Sequence, residues 1–210
     1  MVKNIIFDMG NVLIDFNPMQ YVKQLNIEDK EEEEKVFNAT YLNYKSIYMD
    51  YGHMKEEDYI NGVVEGIGEK YREKIKTLIL HWADNIKPID GMEDVVKDLK
   101  EAGYKIYLLS NAGFAQHEYW EKIPAHIYFD GTLVSCDVKE VKPFREIYEA
   151  LYKKFNIKPE ESFFIDDLII NIFGAKRTGM DGYVFTGSAL ELRKELDRQG
   201  ILKLKETSVS

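Results

Sequence analysis

The feature that most limits the fold of this chain is a set of short apolar runs, each stopping abruptly at polar or acidic residues. Lys3 to Phe7 is β-branched and aromatic and ends at Asp8-Met9-Gly10-Asn11, Lys105 to Leu109 ends at Ser110-Asn111, and Ser162 to Ile165 ends at Asp166-Asp167. Runs so short, and apolar at consecutive positions, suit strands covered on both faces, as the strands of parallel sheets are. Gly182 to Gly187 is a weaker fourth run and Gly131 to Ser135 a fifth. Helical patterns separate them: Met92–Ala102 ahead of Gly103, Phe144–Phe155 just after Pro143, Ile169–Thr178 ahead of Gly179, and Ala189–Gln199 ahead of Gly200. Strands alternating with helices imply βαβ units and therefore an α/β chain built on a doubly wound parallel sheet.

Residues 16–85 break the alternation. They hold only helical stretches, Glu28–Leu42, Tyr44–Tyr51, Glu56–Gly66 and Lys70–Asn85, with no strand pattern between them. The expected organisation is a core of residues 1–15 and 86–210 with an all-helical insertion, residues 16–85, placed as a cap. The acidic run Glu31 to Glu34 reads as a solvated helix face.

Composition narrows the partners. With 45% hydrophobic and 13% aromatic residues, the chain of 210 residues can fill a core and is not a disordered segment. A single cysteine, Cys136, excludes a disulfide framework and a cysteine-based zinc site and suits a reducing, cytoplasmic setting. A net charge of −9 argues against duplex nucleic acid or an anionic membrane as partner, since both call for clustered Lys and Arg. The N-terminal apolar run is too short for a signal peptide, and no run approaches the roughly 20 apolar residues of a membrane span. The expectation is a soluble chain, a monomer or small homo-oligomer.

Ligands of open α/β sheets bind beyond the carboxyl ends of the strands. Here three strand ends bring carboxylates, a hydroxyl and amides, and Lys142 precedes the Phe144–Phe155 helix. In order, Ile5-Ile6-Phe7-Asp8-Met9-Gly10-Asn11-Val12-Leu13, Leu108-Leu109-Ser110-Asn111, Lys142-Pro143 and Phe164-Ile165-Asp166-Asp167 with Asn171 one turn on resemble the four motifs of the haloacid dehalogenase superfamily. The helical insertion falls where that superfamily places its type-1 cap. Phe-Asp-x-Gly-Asn-Val, Leu-Ser-Asn and Lys-Pro-x-x-x-Ile-Tyr are similar to the bacterial glucose-1-phosphate phosphatases and, more distantly, to the phosphatase domain of soluble epoxide hydrolases.

The resemblance implies a Rossmann-like core and a Mg²⁺-dependent phosphatase acting on a small phosphorylated metabolite, such as a sugar 1-phosphate, through an aspartyl-phosphate. It makes Asp8, Ser110 and Lys142 catalytic. Asn11, Ser110, Asn111 and Lys142 would hold the substrate, and Asp8, the Gly10 carbonyl, Asp166 and Asp167 would hold the metal, with Asn171 in support. The chemistry suits the residues. A carboxylate nucleophile divides one hard displacement into two, a lysine offsets anionic charge, and adjacent carboxylates supply hard oxygen ligands for Mg²⁺. Each residue also has a plainer reading: a loop-capping Asp8, a helix N-cap at Ser110, an exposed lysine at 142.

One position departs from the superfamily's phosphatases. Gly10 stands where a second Asp usually serves as general acid, a role worth about 10²–10⁴-fold in rate. Either the leaving group needs little protonation or another residue stands in, with Asp15 and His117 the nearest by sequence. A phospholigand-binding protein without turnover is the alternative. A dehalogenase or phosphomutase fits less well. The only arginine in the insertion is Arg72, late in its sequence, and Gly10 removes the group a mutase needs. In the insertion, Tyr41, Tyr44, Tyr48 and Tyr51 recur at helical spacing, which reads either as a cap core or as a pocket wall stacking on a sugar ring. His53 follows that stripe, and alone it reads as structural.

Overall fold

Alternating side chains on the first strand point to opposite faces, and everything else is arranged around that fact. In the computed structural model, which describes residues 1–204, β1 (Asn4–Phe7), β2 (Lys105–Ser110), β3 (Gly131–Val134), β4 (Ser162–Asp166) and β5 (Asp181–Val184) form one parallel sheet of order β3-β2-β1-β4-β5. Residues 205–210 of the expected core lie outside the described residues. Ile5 lies in register between Ile106 and Phe163, and Phe7 between Leu108 and Ile165. These six residues face a layer that includes α6 (Met92–Glu101) and α11 (Ala189–Arg198), through Val95, Leu99, Leu192 and Leu196. Ile6, Tyr107, Leu109 and Phe164 face the other layer, α9 (Arg145–Phe155) and α10 (Ile169–Lys176), through Ile147, Tyr148, Leu151 and Ile172. The sheet is thus an α/β sandwich of the Rossmann-like kind.

Between β1 and β2 the regular elements are helical: α1 (Pro18–Lys23), α2 (Lys30–Tyr41), α3 (Ile47–Asp50), α4 (Glu56–Ile67) and α5 (Arg72–Leu80), then α6. Asn17 caps α1 and Asp29 caps α2 through side-chain oxygens that accept Gln20 and Glu31 N–H. The helices bury their own cluster, with Val36, Tyr59, Ile60, Val63, Ile75 and Leu78 at its centre. Trp82 packs against both this cluster and the sheet layer. Two short helices follow β2 and the edge strand β3, α7 (Gln116–Tyr119) after β2 and α8 (Ser135–Val138) after β3.

The insertion is more broken than its periodicity implies. The expected helix Tyr44–Tyr51 is a 3₁₀ turn (Tyr44–Ser46) followed by the single turn of α3, because the Asn43 side chain accepts Lys45 N–H and starts a new turn. Lys70–Asn85 likewise divides into a 3₁₀ turn, α5 and a second 3₁₀ turn. The tyrosine stripe is therefore not one face: Tyr44 and Tyr48 are 74% and 44% exposed. Short α1 was not anticipated. No described helix is long and apolar enough to cross a membrane.

Candidate active site

The strand order reverses at β1, since the chain steps from β1 to β2 and β3 on one side and returns to β4 on the other. The crevice at such a switch point lies beyond the carboxyl ends of β1 and β4, and those ends are Asp8 and Asp166-Asp167. A cavity of about 470 Å³ opens there, walled by the strand-end loops on one side and the helical insertion on the other. Asp8, Gly10, Asn11, Ser110, Asn111, Lys142, Asp167 and Asn171 all line it; Asp166 lies fully buried behind them.

Lys142 organises the floor. Its ammonium is almost wholly buried and uses all three donors: to Asp8 Oδ1 at 2.7 Å, to Asp166 Oδ2 at 2.7 Å and to the Leu109 carbonyl at 3.0 Å. Burial works against its charge, but Asp8 and Asp166 prevail and hold its pKa above the usual lysine value. Asn111 fixes the backbone of Lys142 from both sides, accepting its N–H at 2.8 Å and donating to its carbonyl at 3.0 Å. Asp166 also accepts from Asn171 Nδ2, at 3.0 Å to each oxygen, and from Leu168 N–H at 2.8 Å. Tyr148 in turn donates to the Asn171 carbonyl at 2.7 Å. Asn11, in a left-handed conformation, donates to Asp167 Oδ2 at 3.3 Å and accepts Phe16 N–H at 3.1 Å.

Charge is unbalanced in this cluster. Asp8, Asp166 and Asp167 each offer an oxygen within 4.8 Å of the others, against one ammonium. Burial pushes the Asp8 carboxyl up to about 7, with Asp166 adding to the rise and Lys142 opposing it. Burial and then Asp166 also raise Asp167. Crowded hard oxygens with one cation too few are the donor set a divalent ion such as Mg²⁺ takes, so these residues fit that ion.

Several residues of the site carry no motif signal. Ser135 Oγ accepts Ala112 N–H at 2.9 Å and donates to the Ala112 carbonyl at 3.2 Å, pinning the loop after Ser110. Glu56, at the start of α4, accepts Ala115 N–H at 2.8 Å. Asp50, Thr40 and Gln116 line the cavity, as do Phe16, Trp82 and Tyr119. Thr40 Oγ1 and both amide atoms of Gln116 are buried without a hydrogen-bond partner among the described residues. Spacing along the chain could not reveal them, because Phe16, Thr40, Asp50, Glu56 and Trp82 come over the sheet only once the insertion is folded, while Gln116, Tyr119 and Ser135 sit on the segments that follow β2 and β3.

Asp15 and His117, the two candidate stand-ins for the missing acid, do not line the cavity. Asp15 is exposed beyond the turn, its N–H on the Lys87 carbonyl, and His117 pairs with Asp137 at 3.0 Å. Arg72 is tied to Glu69 and Asn61 away from the cavity. Of the tyrosine stripe only Tyr41 lines it, with its hydroxyl spent on the Leu78 carbonyl at 3.2 Å, while His53 stacks on Tyr51.

A sequence model described as "Hydrolase: haloacid dehalogenase-like hydrolase" matches residues 2–179. The chain belongs to the haloacid dehalogenase-like hydrolases. Among its relatives in that family, a sesquiterpene phosphatase of Aspergillus oryzae is 27% identical over 91% of this chain and 95% of its own. A D-ribitol-5-phosphate phosphatase of Bacteroides thetaiotaomicron is 25% identical over 87% and 91%. Haloacid dehalogenase-like folds superpose accordingly. A family enzyme of B. thetaiotaomicron, solved as a complex with magnesium and inorganic phosphate, gives a TM-score of 0.71 at 24% identity, covering 91% of this chain and 99% of that one. L-2-haloacid dehalogenase of Xanthobacter autotrophicus gives 0.66 at 14% identity, covering 95% and 84%.

Proposed function

We propose that this hydrolase is a Mg²⁺-dependent phosphatase for a small phosphorylated metabolite, a sugar or polyol phosphate such as a sugar 1-phosphate, and that it belongs with the glucose-1-phosphate phosphatase group. The observation that carries the reading is Asp8, at the cavity floor, bonded to a buried lysine and crowded by two further carboxylates. In this reading residues 16–85 are a cap domain over a core of 1–15 and 86–210, and the cap chooses the substrate.

Asp8 attacks phosphorus and the ester oxygen departs, leaving an aspartyl-phosphate that water then opens. Lys142 holds Asp8 in line and balances the phosphoryl charge, with Ser110 and Asn111 as donors to its oxygens. Asp8, Asp167, Asp166 and the Gly10 carbonyl would hold Mg²⁺, which would supply positive charge against the phosphoryl group. Asn11 and Asn171 keep Asp167 and Asp166 in place.

Support for a hydroxylated substrate comes from the unpartnered Thr40 hydroxyl and Gln116 amide, which a polyol could satisfy, and from the rings of Phe16, Trp82 and Tyr119, which suit the C–H faces of a sugar. Relatives acting on ribitol 5-phosphate and glyceraldehyde 3-phosphate agree with it. A second reading has its own observation. Met9, Phe16, Leu78, Ile79 and Trp82 make much of the wall apolar, which would accept an apolar alcohol's phosphate, and a sesquiterpene phosphatase is also among the relatives.

Phosphate release from a panel of sugar 1-phosphates, polyol phosphates, acyl phosphates and prenyl phosphates, with and without Mg²⁺, tests both. Turnover should need Mg²⁺ and should fall by at least about 10³-fold in Asp8→Asn. Binding of phosphate without turnover of any compound would favour the non-catalytic alternative instead.

A further inference from the structure

Among the described residues four carboxyl groups line the cavity, and three of them are engaged. Asp8 is held by Lys142, Asp167 by Asn11, and Glu56 by the Ala115 N–H. The fourth, Asp50, has no hydrogen bond or ion pair among the described residues. It is partly buried at the end of α3, on the cap side, across from the floor that holds Asp8 and Lys142.

Its place is fixed by the backbone that follows it. Two residues on, Gly52 adopts φ +64°, and a Cβ there would lie 2.2 Å from the Cys136 carbonyl oxygen, so the chain after α3 sits directly on the start of α8. Glu56 then ties the next turn to the loop after Ser110, where a Cβ on Gly113 would meet its carboxylate at 2.8 Å. Asp50 thus reaches the cavity from a segment docked on two core loops.

Resting on the phosphatase reading, we propose that Asp50 is the general acid and base that Gly10 leaves missing. As the Asp8 oxygen bonds to phosphorus and the P–O bond to the alcohol breaks, the Asp50 carboxyl gives its proton to the departing oxygen, and the alcohol leaves neutral. The resulting carboxylate takes a proton from water as that water's oxygen bonds to phosphorus and the bond to Asp8 breaks. Inorganic phosphate is released, and Asp8 and Asp50 return to their starting forms. Burial pushes the Asp50 carboxyl up to about 6, opposed by Lys142, so a protonated fraction persists near neutral pH. Neither Asp15 nor His117 lines the cavity, and the Tyr119 hydroxyl is driven far above neutrality by its burial.

The experiment compares wild type with Asp50→Asn on a polyol phosphate, whose alkoxide leaves poorly, and on p-nitrophenyl phosphate, whose phenolate leaves without a proton. The variant should lose about 10²–10⁴-fold in kcat on the polyol phosphate. On p-nitrophenyl phosphate it should release a burst approaching one p-nitrophenolate per chain and then turn over slowly, because Asp8 is still phosphorylated but water is no longer activated. Asp50→Glu should restore part of the polyol activity. Wild-type rates in Asp50→Asn on both substrates, or an equal loss on both without a burst, would overturn the proposal. Absence of turnover by the wild type on every substrate would remove the phosphatase reading itself, and this role with it.

Discussion

Lys142 and Asp50 are opposite solutions to holding charge in one cavity. Lys142 has every donor satisfied, so its removal strands two buried carboxylates. Lys142→Met should cost about 3–5 kcal/mol in urea unfolding at neutral pH, in addition to abolishing turnover. Asp50 has no partner among the described residues, and its pKa of about 6 lies above the ordinary carboxylate value of 3.8, so its stabilising contribution is full below about pH 4 and lost as pH rises through about 6. The charges that bear on it are Lys142, which opposes the rise, and the carboxylates Asp8, Glu56 and Asp167 of the same cavity, with Tyr119 packed nearby. Asp50→Asn should therefore match the wild type in thermal stability near pH 4. At pH 7.5 it should exceed the wild type by about 1–2 kcal/mol, or roughly 2–8 °C in Tm, the full shift being reduced by water in the cavity. A variant equally stable or less stable at pH 7.5 would show that the carboxyl is not held against desolvation.

At the scale of elements, two glycines of the helical insertion separate docking from propensity. Gly62 lies on the solvent side of α4, and apart from its chain neighbours and its own helix backbone no atom of the described residues comes within 4 Å of the place a Cβ would occupy. Gly62→Ala should stabilise the chain by about 0.5–1 kcal/mol, as a helical glycine loses more entropy on folding than alanine. Gly52 combines positive φ with backbone contact to Cys136, so Gly52→Ala should cost about 2–3 kcal/mol and should lower kcat as α3 shifts. Calorimetry on the two variants reads the contrast directly. If Gly52→Ala melted with the wild type, the contact between α3 and α8 would not be what positions Asp50.

On the scale of the whole molecule, acidity and substrate charge are at odds. Residues 16–85 carry 9 Lys and Arg against 14 Asp and Glu, and the rest of the chain is acidic too, within a net of −9. A phosphorylated substrate is repelled at long range and must be held by short-range groups in the cavity. At saturating Mg²⁺, kcat/KM should therefore rise as salt increases from about 20 to about 200 mM, a range in which the screening length shrinks to within the width of the site. A fall would mean that some positive patch steers the substrate. The same crowding of carboxylates predicts that Mg²⁺ raises Tm, by about 2.7 kcal/mol of stability at a hundred times its dissociation constant, and that Asp167→Asn weakens the rise.

Much of the fold and floor was legible from the sequence because those features follow local periodicity. Buried parallel strands must be apolar at consecutive positions and must end where the polar groups of the site begin, so Asp8, Ser110 and Asp166 marked their own places. Lys142 and Asn171 were legible through motif order rather than through any physical pattern of their own. The breaks within the insertion were harder, since a single Asn43 side chain starting a turn outweighs the spacing of four tyrosines. Asp15 was a poor guide because proximity along a chain that turns sharply after β1 says little about proximity in space, and His117, beyond β2, pairs with Asp137 instead of lining the cavity. By itself the sequence determined the sheet, the order of its strand-end residues and the absence of an acid at position 10. Only the tertiary structure decided what stands opposite Asp8, because Asp50 and Thr40 meet the cavity through docking of a helical insertion onto loops far away in sequence, a matter of long-range packing and not of local pattern.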